Sequence, residues 1–176
     1  MKNILLGVTG SIAAYKSADI TSGLVKLGYD VHVVMTKAAT QFITPLTLQT
    51  LSRNTVRVDL FQTDTPSEVK HVTGAENADI FLVAPATANI IGKMANGIAD
   101  DMLSSLFLVM RDIPMYVAPA MNTRMYENPI VEENTAKLVS RGVQIIEPRV
   151  SRLACGYVGK GAMATVDDII NIIDAR

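Results

Sequence analysis

The sequence predicts a doubly wound α/β fold, and three observations carry that expectation. Five short apolar runs, Ile4 to Val8, Val31 to Met35, Ile80 to Ala84, Met115 to Ala118 and Val143 to Ile146, are nearly continuous rather than alternating. That is the pattern of parallel strands covered on both faces. Segments with helical spacing separate them, and small or polar residues follow the first four runs. A fold of this class binds ligands beyond the carboxyl ends of its strands, so function is to be sought in those turns.

At 176 residues the chain suits one compact domain, 1–176, with a sizeable buried core. Hydrophobic residues make up 49% and charged residues 19%, which argues against disorder. The net charge of −1 offers no field for nucleic acid, and no arginine-rich run adds one locally. A single cysteine, Cys155, cannot form an internal disulfide; it fits a reducing compartment and leaves a thiol to be explained. The opening Met1 to Val8 is broken by Gly7, Thr9 and Gly10 and reads as a first strand rather than a secretory leader. No apolar run reaches the ~18 residues of a membrane span, and a cytoplasmic location is expected.

The first strand ends in Gly7-Val8-Thr9-Gly10-Ser11-Ile12-Ala13-Ala14. Gly10 permits close backbone approach, and Ser11 opens a helix whose unpaired N–H groups suit a mononucleotide phosphate. The spacing matches neither a dinucleotide fingerprint nor a Walker loop, and an ordinary glycine turn with a serine cap has the same residues. Ala13, Ile20, Leu24 and Leu27 then form a helical stripe stopping at Gly28. After the second strand, Met35-Thr36-Lys37-Ala38-Ala39 leaves room for a ligand, although hydroxyls after strands usually form turns. A helix is expected to start at Thr65-Pro66 and carry His71, which could act as a base near neutral pH. His32 lies in a strand pattern and reads as structural.

The third turn, Pro85-Ala86-Thr87-Ala88-Asn89, combines a flat floor of small residues with polar contacts at a helix start. It suits a ring that presents carbonyls and N–H groups, as a flavin does, while the plainer reading is Thr87 as a cap. Asp100 or Asp101 caps a helix through Met102 to Met110. The fourth turn, Pro119-Ala120-Met121-Asn122-Thr123-Arg124-Met125, echoes the third: Val-Ala-Pro-Ala ends both strands and an asparagine follows. Asn122 can bond a carboxylate without adding charge, and Met121 and Met125 suit packing. Further helices are expected over Pro129 to Arg141 and from Thr165, with Asp167 and Asp168 at its start. Between them, Arg149 to Met163 has no clear period and is glycine-rich, and is expected to be a long lid or binding loop. Cys155 lies inside it, with Arg152 and Lys160 near enough in sequence to lower a thiol pKa. One cysteine and two distant histidines offer no metal-ligand spacing.

Taken together in this order, Gly10-Ser11-Ile12-Ala13-Ala14-Tyr15-Lys16, His71, Pro85 to Asn89, Pro119 to Met125 and Ala154-Cys155-Gly156 resemble the homo-oligomeric flavin-containing cysteine decarboxylases over essentially the whole chain. The resemblance implies a flavodoxin-like (Rossmann-like) three-layer sandwich that binds FMN and assembles as a trimer or dodecamer, with the flavin near a subunit interface. It assigns Gly10, Ser11 and Ile12 to the FMN phosphate, Thr36, Lys37, Ala38, Thr87, Ala88, Asn89 and Ile90 to flavin contacts, and Ala120 to a place beside the ring. His71 matches the family's active-site histidine, Asn122 the asparagine that binds the substrate carboxylate, and Cys155 the proton-donating cysteine. Met125, Arg152, Ala154 and Met163 fall among substrate contacts, the last three on the family's flap.

Within the family the likeness is greatest to members that act on 4′-phosphopantothenoylcysteine in coenzyme A biosynthesis. The implied reaction oxidises the substrate's CH2–SH carbon to a thioaldehyde, releases carbon dioxide to give an enethiolate, and returns the electrons with a proton from Cys155. Without the first step the carbanion has no electron sink; the cofactor carries that chemistry. In many bacteria the domain is fused to the phosphopantothenate-cysteine ligase that makes the substrate, so this chain reads as a free-standing decarboxylase or an excised domain, with that ligase a possible partner. Tyr126 stands where relatives often carry tryptophan. A peptidyl-cysteine decarboxylase stops at the enethiol and does not need Cys155, flavin prenyltransferases resemble the Pro-Ala-Met-Asn and Ala-Cys-Gly segments less, and a non-catalytic FMN-binding regulatory subunit would be expected to carry an acidic tail.

Overall fold

The computed structural model describes residues 2–59, 77–152, 156 and 158–175. All five apolar runs become strands of one parallel sheet: β1 (Asn3–Val8), β2 (Asp30–Met35), β3 (Ile80–Ala86), β4 (Met115–Pro119) and a short β5 (Gln144–Ile145). Their order is β2-β1-β3-β4-β5, the flavodoxin-like arrangement, in which the chain switches sides between β1 and β3.

The continuity of the apolar runs follows from burial on both faces. Along β1, Ile4, Leu6 and Val8 enter one core while Leu5 enters the other. Helices α1 (Ser17–Lys26) and α2 (Pro45–Ser52), with a C-terminal helix α7 (Val166–Asp174), cover the first face through Ile20, Leu24, Leu48, Ile169 and Ile173, all fully buried. The opposite face is covered by α3 (Ala88–Asn96), α4 (Met102–Val109) and α6 (Pro129–Val139), through Ile90, Ile91, Met94, Leu103, Leu106 and Leu138. Each such side chain contributes about 1.5–3 kcal/mol by leaving water. The result is three layers, helix, sheet and helix.

Polar side chains start the helices where the sequence places them. Asp101 caps α4 in a reciprocal box with Ser104, and Thr165 caps α7 by accepting from the Asp168 amide. A 3-10 turn, Ile12–Lys16, precedes α1, and a four-residue helix α5 (Thr123–Tyr126) follows β4. The expected helix through His71 lies outside the described residues.

The late segment corrects an expectation. Instead of an irregular loop, Arg149 to Met163 contains an antiparallel pair, β6 (Arg149–Arg152) and β7 (Val158–Ala162), forming a sheet of its own. Gly159 and Gly161 interrupt the alternation by which a strand is read from sequence, so the pairing leaves no period-two trace.

Candidate functional site

One cavity of about 840 Å3 opens at the carboxyl ends of β1 to β4. Its floor is made by the turns that begin at Thr9, Thr36, Thr87 and Ala120, and hairpin β6–β7 supplies a wall through Arg149, Ser151, Arg152, Gly161 and Ala162. This volume lies toward the upper end of the ~300–1,000 Å3 range of small-molecule sites, enough for a ring system and a second small ligand.

Each turn is fixed by contacts that leave its ligand-facing groups in place. The Thr9 hydroxyl, buried to 1% exposure, donates to the Pro85 carbonyl at 2.6 Å and accepts from the Thr87 amide at 3.1 Å. It thereby ties the first turn to the third. Ser11 accepts from the Ala13 amide at 3.2 Å and starts the 3-10 turn. A Cβ on Gly10 would stand 2.6 Å from the Ala38 Cβ, so the first and second turns meet in the space that a side chain would fill. Thr36 accepts from the Ala39 amide, and Thr87 caps α3 by accepting from the Ile90 amide. The Ala120 amide donates to the Ala86 carbonyl at 2.9 Å, which joins the two turns of similar sequence. Asn122 Oδ1 accepts from the Arg124 amide at 2.8 Å, which orients the side-chain amide at the cavity edge.

The electrostatics favour anions. Among the described residues Lys16, Lys37, Lys93, Arg149 and Arg152 line the cavity, against one carboxylate, Asp101. Lys93 answers that carboxylate, with Nζ 2.9 Å from Asp101 and 2.7 Å from Asp100. Partial burial acts to lower the Lys93 pKa, but hydrogen bonds and charge from the two aspartates outweigh it and hold the ammonium above its ordinary range. For Asp101, burial acts upward and is outweighed by the Ser104 amide, Lys93 and the Ser104 hydroxyl, which keep it below the usual carboxylate value. Lys16 is lowered, first by desolvation and then by repulsion from Arg149. Two cations that repel one another across an open cavity are relieved by a bound phosphate or carboxylate.

The turn residues singled out in the sequence, Gly10, Ser11, Ile12, Thr36, Lys37, Ala38, Thr87, Ala88, Asn89, Ile90 and Ala120, all line this one cavity, as do Asn122, Met125, Arg152 and Met163. His71, Ala154 and Cys155 lie outside the described residues. Sequence reasoning missed Thr9, Lys16, Lys93, Asp101, Arg149 and Ser151, which also line it. Lys16 stood inside a quoted motif, and its place one turn into a helix that starts at the floor was the available signal. Among the described residues no cluster of three metal-ligating side chains occurs, and no helix is long and apolar enough to cross a membrane.

Comparison with known proteins agrees with this geometry. The flavoprotein family model matches residues 1–176. The chain is 51% identical over 176 residues to a probable phosphopantothenoylcysteine decarboxylase from Streptococcus mutans, covering 99% of this chain and 98% of that one. It is 47% identical to the coenzyme A biosynthesis bifunctional protein CoaBC of Bacillus subtilis, of which it spans 42%. Among solved structures it resembles a cysteine-to-serine mutant of a phosphopantothenoylcysteine (PPC) decarboxylase complexed with pantothenoylaminoethenethiol, with a TM-score of 0.88, 30% identity and coverage of 99% and 97%. It also resembles the FMN-binding protein AtHal3, with a TM-score of 0.85, 31% identity and coverage of 99% and 95%.

Proposed function

This chain belongs to the flavoprotein family, and on that premise we propose that it is an FMN-dependent decarboxylase that converts 4′-phosphopantothenoylcysteine to 4′-phosphopantetheine in coenzyme A biosynthesis. The observation that carries the reading is the convergence of four strand-end turns and the hairpin on one cavity with an excess of cations. The residues present fit the cofactor. Gly10 and Ala38 leave a close-packed seat, Ala88 and Ala120 a low floor, and the Ser11-capped turn offers backbone N–H groups to a phosphate.

FMN, when bound, supplies the two-electron acceptor and donor that decarboxylation needs. The chain's own residues position the substrate and move its protons. Asn122, held by the Arg124 amide, binds the substrate carboxylate, and Met125 and Met163 contact the pantothenoyl-cysteine portion beside it, a role that the family resemblance alone extends to Ala154. Lys16, Arg149 and Arg152 balance the substrate's phosphate and carboxylate, which a peptide terminus would not require in such number. His71 serves as the base and Cys155 as the proton donor of the last step, and both assignments rest on the family resemblance. The enethiol held by the mutant relative supports an enethiolate on the path. We read 1–176 as one FMN-binding domain acting as a cytoplasmic homo-oligomer, trimeric or dodecameric, and take as its partner the phosphopantothenate-cysteine ligase that the family resemblance implies, in keeping with the bifunctional CoaBC relative.

Purified protein is expected to be yellow, to release carbon dioxide from 4′-phosphopantothenoylcysteine and to yield 4′-phosphopantetheine. Cys155→Ser is expected to release carbon dioxide but accumulate a product lighter by H2. Mass spectrometry of both mixtures decides: no carbon dioxide from the unaltered enzyme overturns the function, and full conversion by the Ser variant removes Cys155 from the last step.

A further inference from the structure

We propose that Tyr126, Glu147 and Lys160 form a latch that presses hairpin β6–β7 onto α5 and so positions the side chains that grip the substrate. The inference deepens the decarboxylase reading and rests on it for the identity of the substrate. None of the three residues lines the cavity, so any effect on the reaction passes through neighbours that do.

The hairpin needs such a device. It is a two-stranded sheet that shares no ladder with the main sheet, so strand pairing does not fix its position over the site. Its seat is the segment at and after the fourth turn. The Met121 amide donates to the Gly161 carbonyl at 3.0 Å, and a Cβ on Gly161, whose φ is +151°, would collide with the Met121 carbonyl. A Cβ on Gly159 would collide with the Thr123 side chain. These contacts bring backbone to backbone, and Ile146, Met163 and Ala164 anchor the two ends of the segment in the core, but neither glycine has a side chain to interlock with α5.

The three side chains close that gap at the open end of the hairpin, where Lys160 pairs across from Val150. Glu147 stands just before β6, Lys160 lies in β7 and Tyr126 ends α5. Lys160 Nζ is 2.7 Å from Glu147 Oε2 and 5.5 Å from the centroid of the Tyr126 ring, within cation–π range, and the Tyr126 hydroxyl donates to the same carboxylate oxygen at 3.4 Å. Every pair in the triangle is in contact, so displacing one member disturbs two interactions. On one side the latch borders Asn122 and Met125, and on the other Arg149, Ser151 and Arg152; all five line the cavity. Glu147 is 65% and Lys160 42% exposed, so the pair adds little to global stability. Its effect is on placement, to which binding of a multiply charged substrate is sensitive. The arrangement also gives the aromatic at position 126 a task. A ring there carries the lysine, and tyrosine adds the hydroxyl.

The test uses holoenzyme with 4′-phosphopantothenoylcysteine. Lys160→Met, Glu147→Gln and Tyr126→Leu are each expected to raise KM by about threefold to tenfold while kcat and flavin content stay within about twofold of the unaltered enzyme. Tyr126→Trp, which keeps the ring, is expected to stay within about twofold in KM, and the charge-reversed pair E147K/K160E to recover most of what either reversal loses. Unchanged KM in all three variants, a fall in kcat without a rise in KM, or a reversed pair no better than its single members overturns the latch. An unaltered enzyme that does not decarboxylate this substrate overturns the functional reading instead. The latch is then decided by hydrogen exchange, where faster exchange of β6 and β7 amides in Lys160→Met supports it and unchanged exchange refutes it.

Discussion

Thr9 shows how a single side chain can organise a site without touching its chemistry. Its hydroxyl bridges two turns that are 76 residues apart, donating to Pro85 and accepting from Thr87. Thr9→Val keeps the shape and removes both bonds, leaving a buried Pro85 carbonyl unpaired at about 1–3 kcal/mol and a part-buried Thr87 amide without its partner. The expected result is a thermal midpoint lower by about 2–4 °C for each kcal/mol lost, with flavin released at lower temperature. Flavin fluorescence followed through a melt checks this, and coincident curves for the variant and the unaltered protein would refute the bridge. Nothing in the sequence marks Thr9, because its partners are tertiary. Gly10 was half legible: the turn called for close approach, but that Ala38 is what approaches comes only from the fold. The hydroxyls of Ser11 and Thr87 were readable both as caps and as ligand groups, and the structure gives them the first role at the edge of the cavity that suits the second.

At the scale of elements, the helix starts were the most legible features because capping is local chemistry. Thr165 caps where the sequence placed it, and of the two candidates Asp100 and Asp101 the structure selects Asp101. The hairpin was the least legible, since two glycines that exist to clear Met121 and Thr123 erase its alternation. Helix α4 carries a testable pH dependence. Asp101 has a folded-state pKa below the ordinary carboxylate value of 3.8. Its contribution to stability is therefore complete above that value and is lost as pH falls past it toward the lower folded-state value. Asp101→Asn preserves a capping oxygen but loses the charge that pairs with Lys93. The variant is expected to melt below the unaltered protein at neutral pH, with the gap closing as pH falls below the ordinary carboxylate value of 3.8, as followed by circular dichroism. A constant gap across that range would assign the effect to shape rather than charge.

For the molecule as a whole, the continuous apolar runs were enough to give parallel strands covered on both sides, but the order β2-β1-β3-β4-β5 was not in them. Strand order depends on which crossover packs where: the family resemblance implied a flavodoxin-like fold, and the structure supplies the order itself. The cavity's position followed from the fold class, and its cationic lining did not, because Lys16 and Arg149 are far apart in sequence and adjacent only across the site. Two apolar side chains at the cavity, Ile12 at 61% and Tyr15 at 56% exposure, are poorly suited to water and suit contact with a second copy. Light scattering is expected to give an assembled mass for the unaltered protein and a mass near 19.0 kDa for Ile12→Asp. An assembled Ile12→Asp, or a monomeric unaltered protein, would exclude this face as the contact.

The cavity draws its floor from residues 9 to 122 and its wall from residues 149 to 163, and that division has a consequence for biosynthesis. A ribosome delivers the chain from the amino end, and folding can follow emergence. All four floor turns are therefore made before the hairpin is translated. The nascent polypeptide thus carries the turns of the coenzyme's berth before the grip for the metabolite, while the core behind that berth still awaits Ile169 and Ile173 of α7.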